Sequence, residues 1–163
     1  VIGNGCNYFG TDYNRGYVDW CTKNLPGIQF KGNDLTPPLA FGSNTFDALY
    51  GISIFTHLSE EMHRAWFAEL MRVLRPGGLA MLTTHGDATR VNLTPEEQTQ
   101  YDRNELVVRG HVKEGHRMYA AYQPPAFMRQ LATGQEALVL EHIPGKREHW
   151  GIGQDVWVFQ KKG

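Results

Sequence analysis

Apolar positions along this chain fall into two rhythms. From Phe46 to Phe55 the run FDALYGISIF mixes aromatic and β-branched residues with a single charge, Asp47, as a central parallel strand covered on both faces requires. After it, Met62, Ala65, Trp66, Leu70, Val73 and Leu74 recur three and four apart and predict the buried stripe of an amphipathic helix. Ser59 is its cap, Glu60 and Glu61 suit its positive end, and Arg72 and Arg75 suit its negative end. Pro76-Gly77-Gly78 stops the helix and turns the backbone into Leu79 to Thr84, a second buried strand. A strand, a helix and a second strand make the repeating unit of a doubly wound α/β fold, whose ligands bind at the carboxyl ends of the strands.

The flanking segments extend the pattern. Tyr8 to Asp12 predicts a short strand, and Asn14 caps a helix whose stripe is Val18, Cys21 and Leu25, stopped by Leu25-Pro26-Gly27. Ile28 to Lys31 is another strand, followed by the turn Gly32-Asn33-Asp34 and an irregular stretch with Pro37-Pro38. Beyond Gly86 the rhythm weakens. Thr94 caps a polar helix that starts with Pro95, and Leu106 to Val112 with Arg117 to Tyr122 predict a hairpin around Gly115. Pro124-Pro125 opens a helix carrying Phe127, Met128 and Leu131. Ala137 to Ile143 and Asp155 to Gln160 are the last strands, separated by the polar loop 144–153 with Trp150.

Composition narrows the function classes. At 163 residues the chain is long enough for one domain with a substantial core. A net charge of −1, with charges scattered along the chain, supplies no basic field for nucleic acid. The longest mainly apolar run, Ala48 to Phe55, is too short to cross a bilayer, so a cytoplasmic protein without membrane contact is expected. Cys6 and Cys21 lack partners at zinc-ligand spacing, so no metal is expected, and both are read as buried small residues or free thiols.

The segments Tyr8 to Asn14, Trp20 to Pro26, Asn33-Asp34-Leu35 with Pro37-Pro38-Leu39, Ser53 to Leu58, Leu74-Arg75-Pro76-Gly77-Gly78 and Thr83-Thr84-His85-Gly86 together resemble class I S-adenosylmethionine-dependent methyltransferases. The similarity covers roughly the first ninety residues and is looser afterwards. It implies a three-layer α-β-α sandwich, a Rossmann-like, mostly parallel sheet with an antiparallel last strand. It also implies S-adenosylmethionine as cofactor and methyl transfer to a small-molecule or sugar-type acceptor by in-line attack.

By the same resemblance Asp12 accepts hydrogen bonds from the ribose hydroxyls, a task for a group with only acceptors, and Tyr13 flanks the adenine. Asn33, Asp34 and Leu35 meet the adenine edge, and Gly51 and Ser53 face the methionyl part. Each has a plainer alternative: Asp12 as a turn cap with Asn14, Asn33-Asp34 as an ordinary turn, Gly51 as a packing glycine. His57 and His85, just past two strand ends, are the candidate bases, or else helix-entry histidines bonded to backbone. The hairpin at 105–123 is a candidate lid over the acceptor pocket, with Tyr119, Tyr122 and Arg117 toward substrate, or else an extension of the sheet or a homodimer contact.

One departure from the family pattern stands out. The first strand and its glycine-rich loop are not found upstream of Tyr8: Val1-Ile2-Gly3-Asn4-Gly5-Cys6 has glycines, but too few residues follow for a crossover helix. The single domain over 1–163 is therefore read as starting just before the family's second strand, which exposes two strand edges and leaves the activity of the piece in question. A non-catalytic interaction module and a nicotinamide-dependent oxidoreductase are the rival readings; the missing G-x-G-x-x-G and the LRPGG turn oppose the second.

Overall fold

The computed structural model describes residues 5–116, 118–149 and 151–163. Residues 1–4 of the glycine-bearing start, Arg117 and Trp150 lie outside the described residues. In chain order the elements are β1 (Tyr8–Asp12), α1 (Arg15–Asn24), β2 (Ile28–Gly32), β3 (Phe46–Gly51), α2 (Glu60–Val73), β4 (Leu74–Thr84), α3 (Pro95–Asp102), β5 (Val107–Arg109), β6 (Ala120–Tyr122), α4 (Pro125–Thr133), β7 (Ala137–Ile143), β8 (Arg147–Glu148), β9 (Gly151–Ile152) and β10 (Asp155–Lys161). They fall into two compact units, Val1–Phe41 and Gly42–Gly163.

In the first unit β1 and β2 pair in parallel, with Tyr8 opposite Ile28 and Asp12 opposite Gly32. Asn14 caps α1 as expected, its side chain accepting from the Gly16 and Tyr17 amides at 3.0 and 3.4 Å. Of the expected stripe, Val18 and Cys21 are half-buried but Leu25 is exposed. Leu25 lies past the last helical turn with non-helical backbone, so its side chain leaves the helical face. Both cysteines are free, and Cys6 is exposed rather than buried.

The second unit holds a four-stranded sheet in the order β3-β4-β10-β7. β3 and β4 run parallel, and β10 is antiparallel to both of its neighbours. The core forms where α2 and α4 meet one face of this sheet: Phe67 and Met71 from α2, and Met128 and Leu131 from α4, pack with Leu82, Trp157 and Phe159. Phe67 meets Phe159 edge to face, with ring centroids 5.0 Å apart.

Two expectations are corrected here. The helix ends at Val73, and Leu74 already has extended backbone and pairs with Phe46, so the second strand runs through LRPGG instead of starting after it. Gly77, at φ +78, allows that passage without the Cβ clash of other residues. The buried side of α2 is Met62, His63, Phe67, Met71 and Val73, while Ala65, Trp66 and Leu70 are half-buried on its border. Likewise the strand predicted over Phe46–Phe55 ends at Gly51, and a short 3-10 turn, Phe55–His57, follows. β3 is an edge strand, not a central one, since no described strand pairs beyond it, and Tyr50 is 75% exposed.

The hairpin forms, with shorter strands than expected. β5 and β6 pair antiparallel from Val107 opposite Tyr122 to Arg109 opposite Ala120, as a separate two-stranded sheet that does not extend the larger one. The strands stop because the backbone between them bonds elsewhere: the Gly115 amide donates to the His57 carbonyl at 3.0 Å, and Glu114 accepts from the Ser59 amide at the start of α2. Tyr119 and Tyr122 are buried, so neither ring is free to reach outward. The loop 144–153 contains the small pair β8 and β9.

An ion pair ties the hairpin to α3. Arg109 donates two hydrogen bonds to Glu97, at 2.8 and 2.5 Å, and a third to the Asn92 carbonyl at 2.8 Å. Glu97 also completes a capping box with Thr94. The Arg109 hydrogen bond, helped by the Thr94 amide, holds the Glu97 carboxyl down at about 2 from its ordinary 4.5. A carboxylate depressed in the fold stabilises it above the unfolded value and loses that contribution as pH falls from about 4.5 through about 2. Glu97→Gln is expected to remove about 1 kcal/mol of this acid dependence, measured by urea unfolding across that range, since partial solvent screening reduces the effect.

Candidate functional site

The expected site residues occupy strand ends in both units. In the first, Asp12 closes β1, and its Oδ1 accepts the Asn14 amide at 2.7 Å, the turn-capping contact anticipated from sequence. Oδ2 has no hydrogen bond among the described residues. Register places Asp12 opposite Gly32, and the Asn33 amide donates to the Asp12 carbonyl at 3.1 Å. The Asn33 side chain accepts from Thr11 Oγ1 at 2.5 Å and donates to the Asp34 carbonyl at 2.6 Å. Asp34 is highly exposed, 3.7 Å from Arg15, while Leu35 is half-buried and the Tyr13 ring is exposed. Asp12, Tyr13, Asn33, Asp34 and Leu35 thus share the carboxyl end of one strand pair.

Arg15 was not singled out from sequence. Its guanidinium crosses Gly32 so closely that a Cβ there would lie 1.5 Å from Nη1. Nothing in local periodicity marks that crossing, because it depends on the β1–β2 pairing.

The second unit carries Gly51, Ser53, His57 and His85. A Cβ on Gly51 would meet Leu82 Cδ2 at 3.2 Å and Ile54 Cγ1 at 3.7 Å, so the small residue serves close packing at the end of β3. Ser53 stands in the left-handed region at φ +58, a conformation costing an L-residue about 1–3 kcal/mol unless its surroundings hold it. They do. Its amide donates to Thr83 Oγ1 at 2.8 Å, its hydroxyl lies 3.0 Å from Thr56 Oγ1, and Gln154 Nε2 donates to the hydroxyl at 2.9 Å. Thr83 Oγ1 closes the ring by donating to Gln154 Oε1 at 2.5 Å. Thr56, Thr83 and Gln154 carried no sequence signal for this cluster; Gln154 is 101 residues from Ser53.

Each candidate histidine is anchored through one nitrogen. His57 Nδ1 lies 2.6 Å from the Tyr119 carbonyl, just before β6, and His85 Nδ1 lies 2.9 Å from the Ala121 carbonyl on β6. Burial, against the Ala121 hydrogen bond and with help from the nearby His57, lowers the His85 imidazole below its ordinary value. The His85 ring stacks on Tyr122 at 5.0 Å. Among the described residues no group of three or more His, Cys, Asp or Glu is arranged to hold a metal ion, and no helix is long and apolar enough to cross a membrane.

A family model described as a methyltransferase domain matches residues 2–78. A curated relative, phthiotriol/phenolphthiotriol dimycocerosates methyltransferase 1 of Mycobacterium ulcerans (strain Agy99), is 31% identical over 135 residues, 76% of this chain and 49% of the relative. The chain belongs to the class I S-adenosylmethionine-dependent methyltransferase family. It spans about half the length of the curated relative it matches.

Solved structures show the same fold at low identity. A methyltransferase from Methanosarcina mazei superposes with a TM-score of 0.70 at 17% identity, covering 94% of this chain and 81% of that one. The 1,6-didemethyltoxoflavin-N1-methyltransferase of Burkholderia thailandensis, solved with 1,6-didemethyltoxoflavin and S-adenosylhomocysteine bound, gives 0.68 at 12% identity over 98% of this chain and 63% of that one. The methyltransferase chain is therefore mixed α/β and Rossmann-like, as its sequence implied. Neither rival reading, the oxidoreductase or the non-catalytic module, is favoured by any of these matches.

Proposed function

We propose that this chain is the core of an enzyme that transfers a methyl group from S-adenosylmethionine to a small-molecule acceptor. The observation that carries the reading is the Asp12 carboxylate at the carboxyl end of β1, with Oδ1 oriented by the Asn14 amide and Oδ2 unengaged among the described residues. An acceptor-only group held in that way fits a ribose diol, which offers two donors. Tyr13 would lie against the adenine, and Asn33, Asp34 and the Leu35 backbone would meet its edge. In the second unit, the Thr83–Gln154 cluster fixes the Ser53 backbone two residues after Gly51.

When bound, S-adenosylmethionine supplies an activated sulfonium methyl, so the protein's part is alignment of the acceptor more than bond activation. The acceptor class proposed is a small or sugar-type molecule, approached beneath the hairpin at 105–123. The curated relative is named for phthiotriol and phenolphthiotriol dimycocerosates, and a fold neighbour is solved with 1,6-didemethyltoxoflavin, which supports a non-polymeric acceptor.

Titration calorimetry with S-adenosylhomocysteine and with NADH tests the reading. S-adenosylhomocysteine is expected to bind, and Asp12→Asn to weaken it about 10- to 100-fold, the effect of losing charge-assisted hydrogen bonds while the Asn14 contact is kept. Binding of NADH alone, or an Asp12→Asn variant of unchanged affinity, overturns it.

A further inference from the structure

We propose that His85 is the general base for an acceptor whose reacting atom is a hydroxyl oxygen; this rests on the methyl-transfer reading above. The geometry starts from two carbonyls that can only accept. Because His57 Nδ1 and His85 Nδ1 face the Tyr119 and Ala121 carbonyls, both rings carry their proton on Nδ1 when neutral. Nε2 of each ring is then a lone pair, and no hydrogen bond engages either one among the described residues.

A third histidine of the same unit shows what a purely structural imidazole looks like here. His63 is fully buried and uses both nitrogens, Nδ1 with the Ser59 carbonyl at 2.7 Å and Nε2 with Gln123 Nε2 at 3.0 Å. His57 and His85 differ on both counts, being half-buried and anchored on one side only. They follow the carboxyl ends of β3 and β4, the rim where open α/β sheets bind their ligands.

The backbone of His85 is held more firmly than a loop residue needs: its amide donates to Gln123 Oε1 at 3.0 Å, and its carbonyl accepts the Gln123 amide at 2.9 Å. The groups around it are His57 on the 3-10 turn, Tyr119 just before β6, Tyr122 on β6, Arg109 over the Tyr122 ring at 5.2 Å, Asp87 with Tyr101, and Asp155 against Gly86. Burial, with the neighbouring His57, lowers the His85 pKa and so favours its neutral form.

The acceptor class follows from what such a base is for. A hydroxyl becomes strongly acidic only as its oxygen bonds to carbon, so a neutral imidazole of modest basicity is matched to it; a thiol ionises nearer neutrality, and an amine attacks with a lone pair it already has. As the O–C bond forms, the S–C bond breaks and its electron pair stays on sulfur. The hydroxyl proton moves to His85 Nε2, and the imidazolium then loses it to water. His57, anchored on the Tyr119 carbonyl next to His85, has a positioning role.

Phenol and a nitrophenol already ionised near neutral pH serve as probe acceptors, with S-adenosylmethionine and the full chain. His85→Gln is expected to slow transfer to phenol about 100-fold or more while changing transfer to the nitrophenolate less than about threefold, because an ionised oxygen needs no base. His57→Gln should slow phenol transfer less than about tenfold. Long-range proton–nitrogen NMR at neutral pH should show both rings protonated at Nδ1 only. An Nε2–H tautomer at His85, equal losses on both probes, or no transfer to phenol by a chain that binds S-adenosylhomocysteine overturns the assignment. Failure to bind S-adenosylhomocysteine overturns the methyl-transfer reading instead, and the base assignment with it.

Discussion

Asp155→Ala is expected to lower the unfolding free energy by about 3–5 kcal/mol, the usual cost of removing one partner from a buried pair. The carboxylate is 1% exposed, accepts from His142 Nε2 at 2.7 Å and from the Gly145 amide at 2.8 Å, and so depends on donors that would be left unmatched. The His142 ring stacks on Trp157 at 3.7 Å, and the Trp157 indole donates to Thr84 Oγ1 at 3.0 Å, which joins this polar pair to the main core. A Cβ on Gly86 would lie 2.1 Å from the carboxylate, so a glycine there is what lets β4 end beside Asp155. Urea unfolding of Asp155→Ala, His142→Ala and the double variant measures the pair, and a coupling energy above about 1 kcal/mol is expected for residues in direct contact. A loss below about 1 kcal/mol would mean that water replaces the partners. The effect should reach the site, because Gln154, which holds Ser53 and Thr83, is the adjacent residue.

Gln123→Ala is expected to cost about 2–4 kcal/mol and to loosen the hairpin, because two buried groups and one half-buried amide lose their partners at once. The amide is fully buried; its Nε2 donates to the Phe55 carbonyl at 2.9 Å and to His63 Nε2 at 3.0 Å, and its Oε1 accepts the His85 amide. One side chain thereby joins the 3-10 turn, α2, the end of β4 and the end of β6. The arrangement requires a neutral His63, since a protonated Nε2 would face a second donor. Burial accordingly pushes His63 down to about 4 from 6.5. Between those values the unfolded chain binds the extra proton, so stability falls as pH drops from about 6.5 through about 4. Unfolding by urea and limited proteolysis within 110–119 check the variant. Wild-type stability with an equally resistant hairpin would sink this account.

Part of the candidate site is legible along the chain. Asp12, Asn33 and Ser53 sit at strand ends that the change from alternating to three-and-four spacing marks, and order along the chain was enough to suggest the family. Thr83 and Gln154 around Ser53, Arg15 across Gly32, and the Tyr119 and Ala121 carbonyls behind His57 and His85 were not legible. Each is a contact between segments far apart in sequence, and no local period encodes which distant partner arrives.

The same division holds for the fold. Caps, stops and apolar rhythm are set by neighbours a few residues apart, so Asn14, Ser59 and Thr94 as helix caps and Ala137–Ile143 as a strand follow from sequence alone. Whether an apolar strand is central or an edge depends on which strands pair with it. That is why β3 reads as a doubly covered strand in sequence yet lies at the edge of its sheet, and why Leu74 leaves the helix to pair with Phe46. Pairing decided both, because a hydrogen-bonded neighbour across the sheet outweighs the small helical preference of a single terminal residue.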